Sequence, residues 1–155
     1  MTTKDTGIKI DRVSFQLGMI NCFAEMVACG VKDLAISPPI SPEDFAPVKT
    51  ASDLIVKKFG IESYLEKNLL ITSLQAEKFT RDKWSILYFK EKETLDTYLD
   101  LKREKQELEN AGIYERLAEK ELSRRFMKLL SYPDEVIDQK LSREKPDSPF
   151  ILIDE

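Results

Sequence analysis

The sequence contains no histidine. This removes the commonest general acid/base, the commonest nitrogen ligand for metals and the usual physiological pH switch. A His-based zinc site and a Ser-His-Asp triad are excluded. Any enzyme built on this chain works with Asp, Glu, Lys, Tyr, Cys, Ser or Arg. Cysteine is scarce as well, with only Cys22 and Cys29 present. On a helix this spacing places them about 10 Å apart, too far for a disulfide. Neither belongs to a CxxC pair, which fits a reducing compartment. With Met19 and Met26 close by, both read as core sulfur, where an apolar setting raises a thiol pKa.

Long apolar runs are also missing. The longest uncharged stretch, Val13 to Ala24, is too short to span a bilayer and includes Gln16 and Asn21. Met1 to Lys9 is polar, without the apolar centre of a signal peptide, and reads as a flexible N-terminus. These features predict a soluble, cytoplasmic protein with no membrane contact. No basic block exists: residues 1–60 carry seven acids and seven bases, 61–110 eleven and nine, and 111–155 ten and eight. That distribution speaks against a general nucleic-acid binder.

What is present suits one globular domain over residues 1–155. Apolar residues make up 42% and charged residues 34% of the chain, and a fold of this length buries roughly 70% of its unfolded surface without a disulfide or metal staple. No cofactor and no metal are implied.

Apolar periodicity predicts a first helix over Asp11–Cys29 that is apolar around most of its circumference. Val13, Leu17, Ile20, Ala24, Val27 and Val31 form one face; Phe15, Met19, Cys22, Phe23, Met26 and Cys29 form a second. A narrow stripe of Ser14, Gly18, Asn21, Glu25 and Lys32 remains. Leu34 to Ser37 reads as a short strand ending at Pro38-Pro39. Ser41-Pro42-Glu43-Asp44 then carries the marks of a helix start, and Gly60 those of its stop, with Pro47 a break or restart between. Glu62 to Lys67 reads as a further helical turn. Leu69–Leu74 and Trp84–Lys90 are the two best strand candidates, the second apolar on both faces and therefore interior. Charged and amphipathic helices follow over 91–110 and 113–130, the latter facing inward through Tyr114, Leu117, Ala118, Leu122, Phe126 and Leu129. A short helix runs to about Leu141, residues 145–149 form a linker, and FILID, residues 150–154, is a strand-like tail.

The predicted fold class is a helix-rich mixed α/β domain, with a small sheet of three or four strands and about five flanking helices. The unit over 34–74 is long enough for a right-handed parallel crossover.

Few residues suggest chemistry. Glu25, on a mostly apolar helix with Asn21 one turn earlier, would be a general base if buried; on the solvent stripe it has no such role. The loop after the first strand is the best ligand-binding candidate, since small molecules bind beyond strand carboxyl ends in open α/β sheets. With parallel pairing of 34–37 and 69–74, Ser37 and Ser41 would face Ser73 and Gln75, and Arg81 or Lys78 would bind an anion. This loop has no glycine, so it cannot cradle a pyrophosphate. Arg116, Lys120, Arg124 and Lys128 form a basic ridge interleaved with Glu115, Glu119 and Glu121, which reads as a solvated face with a Glu121–Arg125 pair. Asp96, Asp100, Glu104 and Glu107 likewise read as solvated acids rather than metal ligands.

Two functions follow as expectations. The leading one is a small binding or interaction module that self-associates as a homo-oligomer through the first helix or the FILID tail, or takes a small-molecule ligand. The other is a metal-independent enzyme acting on a small polar or anionic metabolite at the strand-end loop.

Overall fold

Asp11 starts the first helix by accepting the Ser14 amide on its carboxylate at 2.7 Å, and the Ser14 hydroxyl together with that amide holds its carboxyl below the ordinary pKa. Helix α1 runs Arg12–Ala28 and turns at Gly30, whose φ of 76° is the left-handed value glycine tolerates. Strand β1 (Leu34–Ile36) leads to helix α2 (Pro42–Phe59). As expected, α2 begins with proline after Ser41 and stops at Gly60, although the Ser41 hydroxyl makes no capping bond. Its first-turn acids, Glu43 and Asp44, bind Arg12 at 3.2 and 2.7 Å and tie the two helix starts together. Pro47 does not break this helix. Strand β2 (Glu62–Glu66), a 3-10 turn (Glu77–Phe79), strand β3 (Ser85–Phe89) and helices α3 (Lys92–Asn110), α4 (Arg116–Leu129) and α5 (Asp134–Leu141) complete the order. The computed structural model describes residues 7–74 and 77–144; Gln75 and the FILID tail lie outside them.

The fold is mixed α/β, with a three-stranded sheet and five flanking helices. Its order is β1-β3-β2 and both pairings are antiparallel, Leu34 opposite Phe89 and Glu62 opposite Phe89 across the central strand. The expected parallel pairing of 34–37 with 69–74 is therefore corrected. The second strand is Glu62–Glu66, the segment read as a helical turn, and Leu69–Leu74 is not a strand.

Alternation on β3 divides the core in two. Ile86 and Tyr88 pack with Ile20, Ala24 and Val27 of α1 and Val48 of α2. Leu87 and Phe89 pack with Tyr98 and Leu101 of α3 and Leu122 and Phe126 of α4. Every β3 residue is buried, as a strand apolar on both faces requires. Leu117 departs from its predicted inward face and is 82% exposed. Nine residues at 100° each place it opposite Phe126 on the helix.

Residues 67–74 fail to pair as a strand because side chains, not another strand, answer their amides. Asn68 N–H donates to Glu66 Oε1 at 2.8 Å, Leu70 N–H to Tyr98 Oη at 3.0 Å, Ser73 N–H to Ser123 Oγ at 3.0 Å, and Leu74 N–H to Thr72 Oγ1 at 3.2 Å. Backbone donors buried away from water require such partners. The apolar side chains of this segment still fill space, Leu70 within the second core and Leu69 and Leu74 against it.

Candidate functional site

The residues singled out in the sequence do not converge. Glu25 is exposed on the solvent face of α1. Cys22 and Cys29 are exposed free thiols on the same side, not core sulfur. Ser73 donates its hydroxyl to Glu119 Oε1 at 3.1 Å, and Arg81 lies 4.0 Å from Glu77. Of the basic ridge, Arg124 and Lys128 pair with Asp138 and Asp134 of α5 at 2.8 and 2.7 Å. Arg125 binds Glu104 of α3 at 2.7 Å rather than Glu121.

Ser37 has a structural task that sequence reasoning missed. Its amide donates to Ile86 O at 2.9 Å, and its hydroxyl accepts the Ile86 amide at 2.9 Å while donating to Pro38 O at 3.0 Å. The hydroxyl thus stands where the Ser37 carbonyl would sit in a regular ladder. From Ser37 to Ile40 the chain advances three residues while its partner advances two, from Ile86 to Trp84. This is a β-bulge on an edge strand, a position that accommodates Pro38 and Pro39, which have no amide to donate.

Ser37 also lines an apolar cleft. The cleft has a volume of about 180 Å³ and lies where the two helical layers meet beside β1. Met19 and Phe23 of α1 form one wall; Ile36, Ser37 and Pro39 form the floor; Leu69 and Leu74 form the rim; Phe126, Leu130 and Tyr132 close the far side with Lys32. Of the second apolar face of α1, Met19 and Phe23 wall this cleft, while Cys22 and Cys29 stay exposed. Leu69 and Leu74 reach it because the 67–74 segment is pinned as described, which places an apolar loop where the sequence suggested a strand.

One end of the cleft is tied shut by two bonds between the α1–β1 turn and the end of α4. Lys32 Nζ donates to Leu130 O at 2.6 Å, and the Asp33 amide donates to Ser131 Oγ at 3.0 Å. Carbonyls at a helix C-terminus lack helical partners and favour a cation. The Lys32 ammonium also stands 5.5 Å from the centre of the Tyr132 ring, with Lys140 at 5.1 Å from the same ring. Burial lowers the Lys32 amine pKa and raises that of the Tyr132 phenol.

A buried polar network sets the position of the loop wall. Glu66, only 4% exposed, accepts from Tyr98 Oη at 2.9 Å and Lys102 Nζ at 2.7 Å on one oxygen, and from Asn68 N–H on the other. Tyr98 passes the chain on by accepting the Leu70 amide. Burial, opposed by that amide and reinforced by the Glu66 carboxylate, holds the Tyr98 phenol above its ordinary pKa, so it remains a donor. The sequence signal for Glu66 was the alternation of Ile61, Ser63 and Leu65 after the Gly60 stop, a strand pattern that would have turned Glu66 to the other face.

Among the described residues, no cluster of three or more Cys, Asp or Glu side chains is placed to hold a metal ion. No helix among them is long and apolar enough to cross a membrane. No family model, curated protein or solved structure matches the chain.

Proposed function

We propose that this chain is a small binding module whose ligand is a compact apolar group seated in the cleft between α1 and α4. The observation that supports this reading is the cleft of about 180 Å³ with its largely apolar walls. An engineered apolar cavity of about 150 Å³ in another protein holds benzene, so the volume suits one six-membered ring or a branched chain of similar bulk. A catalytic role at the strand-end loop has less support. The hydroxyls of Ser37 and Ser73 are already engaged, and Glu25 faces solvent.

Self-association draws on the same surface, because a second copy covering Met19 and Phe23 would occupy the cleft. One experiment separates the two. In the full chain with ¹³C-labelled methionine methyls, toluene is titrated and Met19 is followed by NMR, with Met127, buried elsewhere, as reference. Saturable movement of the Met19 signal alone supports the ligand reading. Movement on dilution of the protein, with no response to toluene, would replace it with a self-associating module. Silence in both series would remove the cleft as a site.

A further inference from the structure

Resting on the cleft reading, the charge at its closed end specifies the ligand further. Lys32 is half-buried, and its ammonium lies between two residues of the cleft wall, Leu130 and Tyr132. An ammonium has three donors, and Leu130 O uses one. No carboxylate of the described residues stands within ion-pair distance of it, and burial is the sole cause of its lowered pKa. Two other poorly exposed lysines are answered by acids, Lys102 by Glu66 and Lys105 by Glu109. Lys140, on the same Tyr132 ring, adds a second positive charge at this end.

We propose that the cleft takes a free, compact apolar carboxylate, its ring or branched chain against Met19 and Phe23 and its carboxylate on the Lys32 ammonium. A partly desolvated cation without an acid strengthens a charge-assisted hydrogen bond, and the small volume favours a free molecule over a segment of protein. Aromatic and branched short-chain monocarboxylates fit; a dicarboxylate would leave its second charge unpaired against apolar walls, and a nucleotide exceeds the volume.

The test compares benzoate with benzamide, nearly the same shape without the charge, using the Met19 methyl of the full chain as readout. Benzoate is expected to bind at least about tenfold more tightly, as one charge-assisted hydrogen bond supplies. In Lys32→Met that preference disappears while toluene still saturates the Met19 shift. Lys32 also ties the α1–β1 turn to α4, so the wild-type comparison stands independently of the variant. Equal binding of benzoate and benzamide, with toluene still saturating, overturns the carboxylate assignment and leaves the apolar cleft intact. A benzoate preference that persists in folded Lys32→Met overturns Lys32 as the anchor. If none of the three compounds moves Met19, the cleft reading and this inference fall together.

Discussion

Replacing Tyr98 with phenylalanine removes one oxygen atom from the centre of the molecule's main buried polar network. That oxygen accepts the Leu70 amide at 3.0 Å and donates to Glu66 Oε2 at 2.9 Å. Without it, the amide of Leu70, a residue 3% exposed, has no acceptor, at a cost of about 1–3 kcal/mol. Glu66 keeps Lys102 and the Asn68 amide, so its loss is partial. Because the two bonds share one network they do not sum, and the expected destabilisation is about 3 kcal/mol. For a chain of this length each kcal/mol lowers Tm by about 2–4 °C, giving a drop of roughly 6–12 °C. Tyr88→Phe is the matched control. Tyr88 is equally buried, but its hydroxyl meets only Ser52 Oγ at 2.7 Å, and a helical serine readily turns to the carbonyl one turn back. About 1 kcal/mol is expected there. Urea denaturation of both variants measures the difference, and hydrogen exchange at the Leu70 amide locates it. Equal losses in the two variants, or unchanged exchange at Leu70, would refute the view that Tyr98 pins the loop wall.

Four further variants test the same structure. Ser37→Ala removes the acceptor of the Ile86 amide and is expected to lose about 1–3 kcal/mol in urea denaturation; a loss below about 0.5 kcal/mol would mean that the bulge does not need the hydroxyl. Tyr114 Oη is buried without a hydrogen-bond partner, so Tyr114→Phe is expected to be neutral or up to about 1 kcal/mol stabilising. Burial, then the charges of Glu119 and Glu109, push the Tyr114 phenol up to about 12. The unfolded chain releases this proton first, near pH 10, so stability is untouched by this phenol below pH 10 and declines as pH rises towards 12. Tyr114→Phe should make that alkaline slope shallower by up to one proton, and an unchanged slope would contradict the assignment. Gly60→Ala places a side chain at φ 66° and should cost about 1–2 kcal/mol, whereas Glu25→Gln, on the solvent face, should change stability by less than about 0.5 kcal/mol; calorimetry of the pair reverses this ranking if Glu25 has a buried role.

The sequence by itself determined the first helix, the strand after it, the helix over 42–59, the interior strand and the three helices that follow, because each of those signals is local. The Ser41-Pro42 start and Gly60 stop of α2 are set by backbone chemistry within a few residues. The interior status of β3 is written in its own unbroken apolar pattern. The placement of the second strand was decided by tertiary structure. Residues 69–74 are more apolar than 62–66, yet the amides of Leu70 and Ser73 find oxygens on Tyr98 and Ser123, 28 and 50 positions further along the chain, and donors so engaged are lost to a sheet ladder. The same holds for the site. Ser37 attracted attention as a hydroxyl near a strand end, but only the pairing with β3 made it a substitute carbonyl. The nearly all-apolar α1 suggested a partner chain, and only the approach of α4 made its Met19 and Phe23 the wall of a cleft. Lys32 drew no attention except as part of a polar stripe. Its significance comes from Leu130, 98 positions away, since a cation's worth depends on the burial and the partners that the fold brings to it.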